Sequence, residues 1–186
     1  MKIISLHNNE KKLIQRAAKN NRLAQQTLYE IHAPKMLSVC RMYIKDLHFA
    51  EDVMLKGFFK VFKNLDGFQH KGSFEGWVRR IMVREAIDFL RRKKEIQFSD
   101  RMEQYDAALD TDDYASAEAI QHLQELIDEL PEGYKMVFVM YAVEGYKHQE
   151  IAELLHISEG TSKSQLFKAR KVLQEKLANQ KEENHG

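Results

Sequence analysis

Cysteine occurs once in 186 residues, so neither an internal disulfide nor a cysteine metal cluster can form. The single thiol, Cys40, sits among Leu37, Val39, Tyr43 and Ile44 and reads as a buried apolar side chain without chemistry of its own. Only two prolines, Pro34 and Pro131, punctuate a chain that is 31% charged and 44% hydrophobic, a composition that suits a mostly helical protein with one or two small cores. Long apolar runs are missing as well. The longest, Met136 to Val143, falls far short of the roughly 20 residues that cross a bilayer, and the start MKIISLHNNEKK has no adequate signal-peptide core, so a cytoplasmic protein is expected. Enzyme signatures are equally scarce. The eight histidines show no HExxH or paired metal spacing and read as surface or half-buried side chains. Gly160-Thr161-Ser162-Lys163-Ser164 lacks the earlier glycine, the Gly-Lys pair and the preceding strand of a phosphate-binding loop. No nucleophilic triad is visible, no cofactor is expected, and the chain does not read as an enzyme.

Charge of one sign is absent only in the sum. The net charge is +1, yet Gln69 to Lys94 carries eight Lys/Arg against three Asp/Glu, and Glu95 to Ala119 one Arg against eight acids. A basic block followed at once by an acidic one describes a surface that meets phosphates and a linker that avoids or imitates them.

Helical periodicity fills most of the rest. Ala50, Val53, Met54, Gly57, Phe58, Val61, Phe62 and Leu65 repeat at the three-and-four spacing of one buried face, and Asp66-Gly67 supplies a stop. Before it, Asn20-Asn21 can cap a helix running through Leu23, Leu28 and Ile31 into Met36 to Ile44, with a break or bend expected near Pro34. SDRMEQYDAALDTDDYASAE has no sustained apolar period and reads as a flexible acidic linker. Beyond it, Ile120, Leu123, Leu126 and Ile127 form one helix, and Pro131 opens the next, which runs through Tyr134, Val137, Phe138 and Tyr141 and ends at Glu144-Gly145. The fold expected is all-α, with two small helical domains over residues 1–95 and 118–178, a linker over 96–117 and a polar tail over 179–186.

The stretch EIAELLHISEGTSKSQLFKARK has helix-turn-helix spacing. Ile151, Ala152 and Leu155 form an apolar face, Ile157 plugs the turn, Ser158 can cap the second helix, and Leu166, Ala169, Leu173 and Leu177 hold that helix down. A helix about 10 to 12 Å across fits a major groove about 12 Å wide if one side is anchored and the other is polar. Lys163, Ser164, Gln165, Phe167 and Lys168 fall near the free side: lysine can donate to guanine, glutamine can pair with adenine, and phenylalanine can touch a thymine methyl. Arg170 and Lys171 suit phosphates.

The first domain carries a second candidate in FQHKGSFEGWVRRIMVREAIDFLRRKK. The loop Lys71, Gly72, Ser73, Phe74 leads past Trp77 into a helix with Arg79, Arg80 and Arg84, and the run closes on Arg91-Arg92-Lys93-Lys94. Aromatic faces beside arginines suit unpaired bases, each stack contributing about 1 to 3 kcal/mol while the cations hold the strand's phosphates. Trp77, Ile81 and Phe89 also fit a buried face, which leaves the loop and the exposed arginines as the better contacts.

With AEDVMLKGFFKVFKNLDGF, GSFEGWVRRIMVREAIDFLRR and LPEGYKMVFVMYAVEGYKHQEIAELLHISEGTSKSQLFKARKVL in place, the chain resembles an extracytoplasmic-function sigma factor of bacterial RNA polymerase over nearly its whole length. The resemblance implies that the first domain, region 2, binds the clamp helices of the β′ subunit and opens the promoter at −10. The second, region 4, would read the −35 element and contact the β flap. Asp52, Leu55, Lys56, Phe59 and Lys60 would then face the polymerase, although Leu55-Lys56 stands where the family usually has Gln and an acid. The loop Lys71 to Glu75, supported by Trp77, would capture a flipped −10 base, and Arg84 replaces a common asparagine. Lys163, Ser164, Phe167 and Lys168 match the −35 reading positions, and His156 takes the place of a turn glycine. An anti-sigma partner, often membrane-bound, is implied as well.

The 22 residues Glu95 to Ser116 reach about 70 Å when extended, close to two turns of DNA at about 35 Å each. Relaxed, they span only about 25 Å, so a scaffold must hold the domains apart. The acids between Asp100 and Asp113 are expected to run through a basic channel of that scaffold as a nucleic-acid mimic. Two other classes share parts of the pattern: a helix-turn-helix activator of the response-regulator type, which would need alternating strands and helices in the first half, and a helical adaptor or antagonist that binds only proteins.

Overall fold

A computed structural model describes the backbone over residues 2–93 and 117–183, and side chains over 10–93 and 123–178. The chain divides into two compact units, residues 1–90 and 91–186. The linker expected over 96–117, with its acids from Asp100 to Asp113, lies outside the described residues except for Ala117, the first residue of the second unit's helices. Every described secondary-structure element is helical.

In the first unit, α1 (Lys2–Ala18), α2 (Arg22–Tyr43), α3 (Leu47–Lys63) and α4 (Phe74–Arg92) form a bundle, with a short 3-10 turn at Leu65–Gly67. The sequence reading did not single out α1, whose apolar signal is thin: of its described residues only Ile14 and Ala17 are buried. Asn20, in the left-handed region at φ 59°, ends α1, with the Asn21 N–H donating to Arg16 O at 3.1 Å. Asn21 then caps α2, its Oδ1 accepting the Ala24 N–H at 2.9 Å.

Of the break or bend expected near Pro34, the break does not occur. α2 continues through it as one helix, because Pro34 and Glu30 both lie on the exposed face, where water can solvate the Glu30 carbonyl that the missing N–H leaves unpaired. α3 starts from Asp46, whose Oδ1 accepts the Phe49 N–H at 3.1 Å, and buries Ala50, Val53, Met54, Gly57, Phe58 and Val61, the face that its spacing specified. Gly57 lies against α4: a Cβ there would overlap the Met82 thioether. Cys40 is wholly buried, and desolvation pushes its thiol up to about 12, which makes it inert.

In the second unit, α5 (Ala117–Asp128), α6 (Glu132–Phe138), α7 (His148–Leu155) and α8 (Glu159–Glu183) make the four-helix arrangement. The polar tail expected from residue 179 is helical backbone as far as Glu183. α6 opens behind Pro131, whose carbonyl accepts the Lys135 N–H at 2.9 Å, and continues as a wide π turn over Val139–Val143 before Gly145 reverses the chain at φ 73°. Met136, Val137, Val139 and Met140 are buried, which makes this element central, as its all-round apolar sequence requires. Leu126, Leu130, Ala169 and Leu173 join α5 to α8. Lys135 is a cation within this core, 1% exposed and flanked by Asp128 at 3.7 Å and Glu132 at 3.2 Å.

Candidate nucleic-acid and polymerase interfaces

The helix-turn-helix is built by three local devices. Glu150 Oε2 accepts the Lys147 N–H at 2.8 Å at the start of α7. His156 ends that helix at φ 54°, ψ 47°, and the Ile157 N–H donates to Ala152 O at 3.1 Å. The turn therefore keeps its left-handed geometry without a glycine, at the strain of a Cβ in that region. Ser158 caps α8, its Oγ accepting the Thr161 N–H at 2.9 Å.

α8 does not present every residue that its sequence offered. Lys163 and Lys171 are exposed, and Phe167, Lys168 and Arg170 are half-buried. Gln165, by contrast, is 0% exposed, and Ser164 is buried with its hydroxyl donating to Thr161 O at 3.0 Å. Both correct the reading that placed them on the free side. The buried stripe runs Thr161, Ser162, Gln165, Leu166, Ala169, Leu173, so small and polar side chains take its first turns and an apolar count starts it too late. Of the matched −35 positions, Lys163, Phe167 and Lys168 stay accessible.

Around His148, at the head of α7, Nδ1 and the buried Ser162 hydroxyl share a hydrogen bond of 2.9 Å, and the ring stacks on Tyr141 with centroids 4.6 Å apart. The Arg170 guanidinium lies 5.7 Å from the centroid of the same tyrosine. Lys163 pairs with Glu159 at 2.8 Å, an exposed i,i+4 pair. Burial first, then Lys163 and Arg170, lower the His148 pKa from its ordinary 6.5, with Glu159 opposing.

In the first unit, Gly72 takes φ 95°, which requires glycine, and the Ser73 hydroxyl accepts the Gly76 N–H at 3.1 Å to start α4. Lys71, Gly72 and Ser73 are exposed, but Phe74 is only 2% exposed, which corrects its place among the contact residues. Its ring packs edge-on to Phe68 at 5.3 Å and to His32 at 5.3 Å, so it roots the loop. Trp77 is half-buried on the same cluster, 5.4 Å from Phe68 and 5.8 Å from Phe74. Arg80 and Arg84 stand exposed one turn apart further along α4, Arg92 is exposed and Arg91 half-buried. A pocket of about 230 Å³ adjoins the loop, floored by Ile14, Phe68 and Phe74 and rimmed by Glu10, Lys11 and Ser73.

His32 was missed, since an isolated histidine carries no sequence signal for burial. It is buried beneath Phe74, with Nε2 3.5 Å from Glu10. Burial, the largest cause, outweighs Glu10 and lowers its pKa from 6.5. Below about 6.5 the unfolded chain binds a proton that the folded chain refuses, so this module loses stability as pH falls from that value towards the folded pKa. Trp77, the one tryptophan, reports on this unit. Its fluorescence melting temperature is expected to drop between about pH 7 and about pH 5.5, and His32→Gln to flatten the drop.

The outer face of α3 exposes Asp52, Leu55, Lys56 and Phe59, with Leu55 52% and Phe59 68% exposed. These two open apolar side chains, spaced four apart on one helix, form an exposed apolar ridge. Lys60 differs. Its ammonium pairs with Glu85, a buried carboxylate of α4, so this charge serves the bundle and is not free for a partner as expected.

Known proteins share both halves of the chain. A family described as sigma-70 region 2 matches residues 28–96, and one described as sigma-70, region 4, matches residues 120–173. The chain is 28% identical over 179 residues to the ECF RNA polymerase sigma factor SigW of Bacillus subtilis, covering 90% of this chain and 96% of that protein. It is 30% identical over 154 residues to the ECF RNA polymerase sigma factor SigE of Mycolicibacterium smegmatis, covering 79% and 59%. Among solved structures, CnrH in complex with the cytosolic domain of CnrY superposes with a TM-score of 0.52 at 20% identity, covering 91% of this chain and 97% of that one. The sigma factor RpoE in complex with the anti-sigma factor NepR from Bartonella quintana gives 0.54 at 21%, covering 82% and 96%. These two likenesses concern the fold.

Proposed function

We propose how particular side chains serve a role that is itself established: the chain belongs to the sigma-70 family, as an extracytoplasmic-function sigma factor, and directs promoter-specific transcription initiation. It does so by binding, without a reaction of its own, in the cytoplasm where polymerase works. The ridge Asp52, Leu55, Lys56 and Phe59 docks on the β′ clamp helices of core RNA polymerase. Exposed apolar side chains supply most of that contact, and Leu55-Lys56 makes it less acidic than in the family at large. The second unit also meets the β flap.

At −10, Lys71, Gly72 and Ser73 receive an unpaired base while Trp77 and Phe74 hold the loop's shape from below. Arg80, Arg84 and Arg92 follow the separated strand's phosphates, whereas the Arg91 guanidinium donates to the Leu154 carbonyl at 2.7 Å and is already engaged. At −35, α8 enters the major groove with Lys163, Phe167 and Lys168 towards the bases and Arg170 and Lys171 towards the backbone. The observation that carries this reading is the pairing of two faces on separate units, an aromatic-rooted loop beside exposed arginines and a basic helix on a helix-turn-helix. An anti-sigma factor, of the kind bound to RpoE, would compete for the Leu55 and Phe59 ridge.

Trp77→Ala should leave polymerase binding intact and lower open-complex formation about tenfold or more, because the loop loses the ring that holds it in shape to receive a base, a contact of about 1 to 3 kcal/mol. Permanganate reactivity of thymines near −10, measured alongside co-purification with core polymerase, checks this. Unchanged strand opening in a folded variant would remove Trp77 from the −10 site.

A further inference from the structure

We infer that His148 is a phosphate-contacting residue of the −35 interface that takes up a proton when DNA binds. The inference rests on the −35 reading of α8 given above and adds a residue of a different helix to it. The geometry is that of a held ring. His148 is pinned on one side by Tyr141, 4.6 Å away in a stacked arrangement, and on another by the Ser162 hydroxyl at 2.9 Å from Nδ1. Those two contacts fix the plane of the imidazole and leave Nε2 as the nitrogen for a ligand. Ser162 sits on α8 next to Lys163, so the ring is tied to the helix whose exposed lysine meets the groove.

The charges facing the ring come from every element against it. α8 contributes Lys163, Arg170 and Glu159, the last already paired with Lys163, and the π turn contributes Tyr141, over which Arg170 also lies. On α7 itself, Glu150 is engaged by the Lys147 N–H. Two cations against one carboxylate make a local anion site, and in the free protein burial and these cations disfavour the imidazolium. A backbone phosphate entering among Lys163, Arg170 and His148 reverses that balance. It supplies the opposite charge that an imidazolium needs, and an Nε2–H to donate to it. Binding therefore consumes a proton wherever the pH lies above the free pKa and below the bound one, and affinity rises as pH falls through that window.

The test uses the full chain in complex with core polymerase and a promoter duplex located by its transcription start, with affinity followed at fixed salt from about pH 5.5 to about pH 8. Wild type is expected to tighten more steeply on acidification than His148→Gln, by up to tenfold per pH unit, one proton's worth. At about pH 5.5 the variant's affinity should also fall less with salt, by about one unit of logarithmic slope. Glutamine can still hydrogen-bond Ser162, and unchanged helical content confirms the fold. Equal pH slopes for wild type and His148→Gln overturn the inference. Lys163→Ala with Lys168→Ala separates the two levels: if that pair weakens binding and His148→Gln keeps the wild-type slope, only the proton-linked contact fails, and if the pair has no effect the −35 reading fails with it.

Discussion

Asp128→Asn is expected to destabilise the second unit by about 3 kcal/mol, roughly a hundredfold or more in its folding equilibrium. The reason is Lys135, whose side chain is buried beside Asp128 and Glu132. Removing one carboxylate leaves a desolvated ammonium with less compensation, and the loss stays at the low end of the usual range because Glu132 remains 3.2 Å away. Lys135→Met tests the same account from the other side. It removes the buried charge and keeps the volume, so it should be near neutral or stabilising. Chemical denaturation followed by far-ultraviolet dichroism measures both. If Asp128→Asn costs nothing, the pair is not the element that sets this core.

Lys163→Ala combined with Lys168→Ala is expected to weaken promoter binding by the holoenzyme by about 2 to 4 kcal/mol, roughly 30- to 1,000-fold. Lys163 is paired with the exposed Glu159 carboxylate, a pairing worth so little that exchange for a base edge or phosphate costs almost nothing. The logarithmic salt slope should fall by up to about two units if both contacts are to phosphate, and less if they are to bases. Filter binding over a salt series checks the magnitude and assigns the contact type. An unchanged affinity would place the interface elsewhere.

Much of the scaffold was legible because apolar spacing and turn chemistry are written in sequence. The face from Ala50 to Val61, the cap at Asn21, the start behind Pro131 and the reversal at Gly145 all stand where those signals put them. The misses share a cause. Gln165, Ser164, His32 and Lys135 are polar residues in the interior, and a reading that equates polar with exposed cannot find them. Ser164 is bonded to the Thr161 carbonyl, and Lys135 and His32 lie beside carboxylates, relations set by tertiary packing rather than by spacing. Phe74 erred in the opposite sense: a loop aromatic read as a contact is the loop's anchor. At Pro34 the helix does not break, because proline is tolerated when the carbonyl it orphans faces water.

Run-off transcription with bacterial core polymerase, with and without this protein, on a fragment library of the source genome tests the central claim most directly. The account requires start sites that appear only with the protein, share a −10 and a −35 element, and vanish both with Trp77→Ala and with the double Lys163→Ala, Lys168→Ala variant. Duplex binding without polymerase and without new starts would contradict it and describe an activator, and no starts with no DNA binding would contradict it in favour of a protein-binding adaptor.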